Sequence, residues 1–134
     1  MKGTCNFIIG RHKTSSRHYD LILYNKGEVR HWIIPKNIPK KYKEKRIAIE
    51  ERDPVDYPMN GGSERAAEDS WGSGKWEVWD RGEFETEASN SIRLVIKARG
   101  ERFQGRYLLL VPGWGRWTAK RLWVLEKIRA ASRR

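Results

Sequence analysis

Short apolar or alternating segments, each closed by a turn signal, constrain the fold of this chain more than any other feature of its sequence. Alternation of apolar and polar residues over about four to eight positions is typical of half-buried strands. The Asn25-Lys26-Gly27 stretch between two such segments predicts a tight hairpin turn. On this pattern we predict strands at residues 5–9, 18–24, 28–34, 46–51, 75–81, 92–98 and 106–111.

The segments between these strands offer little helix. Residues 37–45 form a lysine-rich connection, and residues 59–74 are expected to be a long glycine-rich surface loop with a helical turn or two at 64–69. Residues 122–128 fit either a final strand or the start of a helix. We therefore predict one domain over residues 1–134 with a mostly β fold. A closed antiparallel β-barrel of about eight strands with one or two short helices is favoured over a sandwich, because closure removes exposed strand edges.

The charge of the chain predicts a polyanionic partner. Twenty-eight Lys and Arg against seventeen Asp and Glu give a net charge of +11. Nucleic acid is the predicted partner, and the alternatives are ribosomal RNA, an acidic membrane surface, or a charge that only maintains solubility. Aromatic residues among basic ones, such as Trp123 near Arg121, suit base stacking. A small barrel needs bulky interior side chains, so we assign most of the seven tryptophans to the core.

The cysteine content and the N-terminus bear on location. The single cysteine, Cys5, cannot form an internal disulfide, and it lies in an apolar segment as a small buried hydrophobe would. The N-terminus has no apolar run long enough for a signal peptide or a membrane span. These features predict a soluble, cytoplasmic protein with no membrane partner, which we expect to be a monomer.

Two histidines and an aspartate form a candidate metal site. Alternation along a strand places His18, Asp20 and Ile22 on one face. His12 lies six residues before His18, and the polar residues between them can turn the chain back toward the strand. Two imidazoles and a carboxylate suit Mn²⁺, Zn²⁺, Fe²⁺ or Co²⁺. Taken alone, the spacing His-x5-His-x-Asp also occurs by chance, so the residue pattern leaves ordinary surface histidines as the alternative.

Ordered motifs across nearly the whole chain resemble the 3′-phosphoesterase domain of DNA ligase D and its free-standing archaeal and bacterial relatives. Residues 12–23 resemble the family's His-x5-His-Tyr-Asp-x-Arg-Leu block, and Trp32-Ile33-Ile34-Pro35-Lys36 resembles its Trp-Ala-Val-Pro-Lys strand. Further matches follow in order at Lys45-Arg46-Ile47-Ala48-Ile49, Asp53-Pro54-Val55-Asp56-Tyr57, residues 72–82 and Gly105-Arg106-Tyr107.

The resemblance implies an activity and a site. It implies that a divalent metal, with Mn²⁺ expected and Zn²⁺ or Co²⁺ as alternatives, is ligated by His12, His18 and Asp20. It also places Lys36 and Arg46 near the phosphate-binding pocket. The family removes a terminal ribonucleoside from a primer strand and then the remaining 3′-phosphate, which leaves the 3′-hydroxyl that repair requires. The implied substrates are DNA or RNA–DNA 3′ ends, and the implied protein partners are a repair polymerase and a ligase.

Two positions depart from the family pattern. Ile22 stands where the family has an arginine, and Asp53 stands where it has a histidine that contacts the scissile phosphate. A carboxylate at residue 53 would repel the phosphate, unless it ligates the metal or protonates a leaving group. His31 could restore an imidazole. Tyr57 matches a tyrosine that the family uses for activity, so Asp53, Tyr57 and Arg46 are the candidate catalytic residues.

Three functions remain open at the level of sequence. The first is a metal-dependent 3′-end-processing phosphoesterase of DNA repair. The second is a catalytically weakened relative that binds metal and DNA or RNA ends without efficient turnover, which the residues at 22 and 53 favour. The third is a plain RNA-binding barrel, which does not require His12, His18 and Asp20 to converge.

Overall fold

The computed structural model describes residues 5–52, 64–69, 72–118 and 121–129, and their regular structure is almost entirely β. One six-residue 3₁₀-helix, Gly113–Thr118, precedes the last strand. Among these residues no helix is long and apolar enough to cross a membrane. The strands in chain order are β1 (Cys5–Lys13), β2 (His18–Asn25), β3 (Glu28–Ile34), β4 (Lys45–Glu51), β5 (Glu64–Asp69), β6 (Gly72–Ser89), β7 (Arg93–Arg99), β8 (Gln104–Leu110) and β9 (Leu122–Ile128).

Eight of these strands close into an antiparallel barrel. Around the ring the order is β1-β2-β3-β4-β9-β8-β7-β6, and β6 pairs back with β1. β5 is not part of the ring and pairs with residues 72–77 of β6. The prediction of a closed antiparallel barrel of about eight strands is confirmed, and the sandwich alternative is wrong.

The hairpin between β2 and β3 has the tight turn that the sequence predicts. Lys26 and Gly27 both have positive φ angles, of 54° and 89°. A two-residue turn with two positive φ angles matches the twist of the flanking strands, and glycine adopts that conformation without strain. This turn pairs Asn25 with Glu28 and thereby fixes the register of the whole hairpin.

Apolar side chains from all eight ring strands fill the barrel interior. Trp32 and Trp123 meet edge to face with ring centroids 5.7 Å apart, and Phe103 stacks on Tyr107 at 4.1 Å. The predicted packing role of the tryptophans is confirmed for Trp32 and Trp123 in the core, for the fully buried Trp76 outside it, and for the half-buried Trp79. Trp114 is 55% exposed.

β6 extends well beyond the predicted segment, which ends at residue 81. The sequence predicts that end because Gly82 is a boundary signal, yet Gly82 lies inside the strand. A Cβ atom at this position would lie 2.6 Å from the carbonyl oxygen of Arg99. The glycine therefore permits close approach of two backbones and does not mark a turn.

Residues 64–69 and 122–128 are both strands. The prediction of a surface loop or helical turn at residues 64–69 is wrong, because this segment is β5. Its sequence has weak strand propensity, so pairing with the edge of β6 determines its conformation. Residues 122–128 are β9, as in the first of the two predicted alternatives, with Trp123 and Leu125 alternating into the core.

Candidate metal centre

The β1–β2 hairpin brings His12 and His18 together. These residues are directly paired across the two strands, and their ring centroids lie 5.0 Å apart at an interplanar angle of 68°. The intervening turn is held by Thr14, whose Oγ1 accepts a hydrogen bond from the amide of Ser16 at 3.0 Å. The polar linker predicted between the histidines therefore folds the chain back as expected.

Asp20 lies on the same face of the hairpin as the two histidines. Its Oδ2 is 3.5 Å from Nδ1 of His12 and 3.6 Å from Nε2 of His18. One donor atom from each of the three residues lies within 4.8 Å of the other two. The histidines and the aspartate are at most 2% exposed. The structure thus brings the three predicted ligands together in a buried cluster.

The cluster occupies the outer face of the barrel strands. Leu21 and Leu23 alternate with Asp20 along β2 and point into the core, so the cluster lies on the opposite side of the strand. A small apolar cluster of Ile8, Ile22 and Trp76 borders it on that side. Core and candidate site therefore use alternate residues of the same strands.

Trp76 of β6 covers this outer face. Its indole lies against Gly10, where a Cβ atom would overlap the ring. Its Nε1 donates a hydrogen bond of 3.2 Å to Oδ2 of Asp20. Gly10 interrupts the apolar run of β1, which explains why the sequence predicts a strand end at residue 9 although β1 continues to Lys13.

Hydrogen bonds keep the Asp20 carboxylate ionised. Burial by itself raises the pKa of this carboxyl, but hydrogen bonds with His12, His18 and His31 outweigh burial and hold the pKa well below its usual range. His18 is oriented by its Nδ1, which donates to the carbonyl oxygen of Ser16 at 2.7 Å. That bond leaves Nε2 of His18 as the atom directed toward Asp20.

The donor set fits a divalent metal. Two imidazole nitrogens and one ionised carboxylate oxygen match the ligand preferences of first-row divalent ions, and three protein ligands leave positions open for water or substrate. Because the three side chains are buried at close range, a cation between them would compensate the charge of Asp20. His12, His18 and Asp20 thus form a possible metal-binding triad.

A cationic pocket adjoins the cluster at one end of the barrel. It has a volume of about 560 Å³, and His18 forms part of its wall. Among the described residues that line it, four are cationic and none is a carboxylate; the cations are Arg11, Arg17, Lys36 and Arg46. Both predicted phosphate-binding residues, Lys36 and Arg46, therefore lie in the pocket that His18 shares with the candidate metal centre.

Neighbouring side chains orient two of the pocket arginines. Nε of Arg46 donates to Oδ1 of Asn37 at 2.8 Å, and its Nη2 donates to Glu44 at 3.1 Å. Arg11 pairs with Glu77 of β6, with an Nε to Oε1 distance of 3.0 Å. Anchored guanidinium groups lose less conformational entropy when they bind an anion.

Comparison with known proteins identifies the family. The family model of the DNA ligase D 3′-phosphoesterase domain matches residues 10–111, which is most of the chain. The chain belongs to this family. Its relatives include the multifunctional non-homologous end joining protein LigD of Mycobacterium bovis and the multifunctional non-homologous end joining DNA repair protein LigD of Mycobacterium tuberculosis, each 32% identical over 121 residues. LigD of Mycolicibacterium smegmatis is 30% identical over 128 residues.

The relatives are much longer proteins. Each alignment covers 87% of this chain but only 16% of the relative. Membership of the DNA ligase D 3′-phosphoesterase family confirms the resemblance predicted from the ordered motifs.

The structure describes some of the positions at which this chain departs from the family pattern, but not all of them. Ile22 is fully buried against Ile8 and Trp76, so the apolar residue is integrated into the outer-face packing. His31 lies beside the cluster, with Nε2 at 2.5 Å from Oδ1 of Asp20. Asp53 and Tyr57, two candidate catalytic residues, lie outside the described residues.

Sequence reasoning did not select three residues that the structure places in or beside the site. Arg11 and Arg17 resemble many solvated arginines, and only the end of the β1–β2 hairpin directs them to the pocket. Trp76 comes from a strand far along the chain, so no local pattern links it to Asp20. Its pairing with His12 across β1 and β6 is a property of barrel closure.

Proposed function

We propose that this protein is a metal-dependent phosphoesterase that removes the 3′-phosphate from nucleic-acid ends and leaves a 3′-hydroxyl. The observation that carries the proposal is the shared position of His18, which belongs both to the buried donor cluster and to the wall of the cationic pocket. A phosphate in that pocket would lie next to the metal ligands. Family membership supports the same reaction class.

The metal site is proposed to consist of His12, His18 and Asp20, with Mn²⁺ as the expected ion and Zn²⁺ or Co²⁺ as alternatives. Such an ion, when bound, polarises a phosphoryl oxygen and orients the leaving group. The low pKa of Asp20 keeps an anionic ligand available at neutral pH. Because Nδ1 of His18 donates to Ser16, Nε2 is the ring nitrogen that would act as the ligand atom.

The cationic pocket is proposed to bind the terminal phosphate. Lys36 and Arg46 would neutralise its charge, and Arg11 and Arg17 add positive potential at the entrance. The excess positive charge of the whole chain favours a polynucleotide over a small phosphate ester. DNA or RNA–DNA 3′ ends are the proposed substrates, with a repair polymerase and a ligase as proposed partners and the cytoplasm as the proposed location.

Asp53 and Tyr57 are proposed to act on the bound phosphate together with Arg46. A carboxylate about 4 Å from a phosphate charge is repelled by about 4 kcal/mol at an effective dielectric constant near 20. Asp53 would therefore slow turnover unless it ligates the metal or transfers a proton to the leaving oxygen. The variant Asp53→Asn separates these cases, because relief of repulsion raises the rate whereas loss of a proton donor or of a metal ligand lowers it.

The alternative function is a weakened relative that binds metal and nucleic-acid ends without efficient turnover. The buried Ile22 favours this alternative, because residue 22 supplies no cation on the strand face that carries His18 and Asp20. Removal of a terminal ribonucleoside is a second, more specific activity. We propose to test it after the removal of a 3′-phosphate.

The decisive assay is Mn²⁺-dependent release of phosphate from a 3′-phosphate primer–template. We expect wild-type activity, and we expect His12→Ala to lose more than the roughly 10- to 100-fold that outer-shell changes cost. Lys97→Ala, on the exposed surface of β7, is the matched charge control and should retain activity. Equal activity in wild type and His12→Ala would refute the metal role.

Binding measurements distinguish the alternatives if wild type is inactive. Retained binding of Mn²⁺ and of 3′-phosphate DNA would identify the weakened relative. Binding of RNA without metal would identify a plain binding barrel. A second substrate with a 3′-terminal ribonucleotide then tests whether ribonucleoside removal accompanies phosphate removal.

A further inference from the structure

We propose that His31 is a positioning residue that fixes the Asp20 carboxylate for metal binding. The inference rests on the proposed metal site and adds a residue that the ligand set does not contain. His31 is 2% exposed, Asp20 is fully buried, and Nε2 of His31 lies 2.5 Å from Oδ1 of Asp20. Such a short bond between two buried groups strongly restricts carboxylate rotation.

The β2–β3 register brings the two residues together. Asp20 pairs directly with Ile33, and His31 pairs with Ile22, so His31 is the diagonal neighbour of Asp20 on the same sheet face. A diagonal position suits a long side chain that reaches along the sheet. The other residues of β2 and β3 near Asp20 on this face, Ile22 and Ile33, are apolar and buried, so neither can replace the imidazole as a donor to Oδ1, whereas Trp76 of β6 donates to Oδ2.

The two carboxylate oxygens of Asp20 have different neighbours. Oδ1 faces Nε2 of His31, whereas Oδ2 faces Nδ1 of His12 and Nε2 of His18. An ionised carboxylate only accepts hydrogen bonds, so Nε2 of His31 carries the hydrogen. Because His31 holds Oδ1, Oδ2 is the oxygen that remains directed at the position between the two histidine ligands.

A second buried acid flanks His31 on its other side. Glu51 of β4 pairs directly with His31 across β3 and β4, and it is 8% exposed. The pairing of the strands therefore places His31 between Asp20 on β2 and Glu51 on β4. β3 is held on both sides, which limits the movement of the backbone that carries the imidazole.

Metal titration of matched variants tests the inference. His31→Leu approximates the volume without a donor, and His31→Gln keeps an N–H donor of similar reach. By calorimetry we expect His31→Leu to weaken Mn²⁺ binding by about 10- to 100-fold and His31→Gln to stay within a few fold of wild type. Ile34→Val, on the same strand but in the core, should lower thermal stability without changing Mn²⁺ affinity.

The tautomer of His31 provides a test that needs no variant. The protein has three histidines, so their ring nitrogens can be resolved by NMR in metal-free wild type. We expect a hydrogen on Nε2 of His31 and on Nδ1 of His18. A His31 ring without a hydrogen on Nε2 would overturn the inference, as would folded His31→Leu with wild-type Mn²⁺ affinity. If wild type binds no Mn²⁺, the proposed metal site fails, and the NMR result still decides whether His31 donates to Asp20.

Discussion

The indole Nε1 of Trp76 donates a 3.2 Å hydrogen bond to Oδ2 of Asp20, and this bond joins two residues that lie 56 positions apart in the chain. Oδ2 is the same oxygen that faces His12 and His18. The long strand β6 therefore both closes the barrel against β1 and orients the candidate metal ligand.

Replacement of Trp76 by phenylalanine removes this bond and leaves an aromatic ring over Gly10. We expect the free energy of unfolding to fall by about 1–3 kcal/mol and Mn²⁺ affinity to fall by about 10-fold. Denaturant unfolding and calorimetry measure the two effects. Trp79→Phe is the control, because Trp79 packs against the barrel core, with its ring centroid 5.5 Å from that of Tyr19. Unchanged Mn²⁺ affinity in Trp76→Phe would show that the indole only packs.

Loss of either pocket cation should weaken substrate binding more than metal binding. For Lys36→Ala and Arg46→Ala we expect KM for a 3′-phosphate primer–template to rise about 10-fold or more, since a hydrogen bond to a charged group contributes about 1.5–3 kcal/mol. Mn²⁺ affinity should stay within a few fold of wild type. Lys97→Ala controls for net charge. An equal increase of KM in that variant would show that the effect comes from the overall charge of the protein and not from the pocket.

Tyr107 predicts a loss of stability in alkali. Burial raises the pKa of Tyr107 to about 12, with Asp80 and Glu44 adding to the rise. The folded state binds this proton more tightly than the unfolded state, whose tyrosine pKa is near 10, so stability is full below pH 10 and falls between about pH 10 and 12. Unfolding curves across this range should show the loss, and Tyr107→Phe should reduce it.

The phenylalanine variant also loses the bond from the Tyr107 hydroxyl to the carbonyl oxygen of Pro39, which is 3.0 Å long. At neutral pH Tyr107→Phe should therefore be less stable than wild type by about 1 kcal/mol. The difference between the two proteins should shrink as the pH rises through the titration. A constant difference up to pH 12 would contradict the assigned pKa.

Asp80 should affect stability without affecting the site. Its carboxylate accepts backbone N–H bonds from Arg102 at 2.9 Å and Phe103 at 2.7 Å, which anchors the β7–β8 turn. Asp80 itself lies within β6, so its side chain links that strand to the turn. Asp80→Ala should lower the free energy of unfolding by about 1–3 kcal/mol. Weakened Mn²⁺ binding in folded Asp80→Ala would contradict this separation.

The barrel and the ligand cluster follow from local sequence signals. Alternation defines most strands, the turn at Lys26 and Gly27 sets the β2–β3 register, and the polar linker returns His12 to His18. The same register makes His31 the diagonal neighbour of Asp20, so the contact between these residues could have been predicted from the hairpin turn. By contrast, Trp76 reaches Asp20 only through closure of the ring, and β5 forms only because β6 offers an edge. Such long-range pairings have no local pattern.

The division of β2 into a core face and a site face has an evolutionary consequence. Leu21 and Leu23 hold the barrel, while Asp20 and Ile22 alternate with them on the other side. Because the two faces use alternate residues, selection can change a side chain on the outer face without replacing one that fills the barrel interior. Ile22 illustrates the separation: it stands on the same face as Asp20, while its sequence neighbours Leu21 and Leu23 belong to the core.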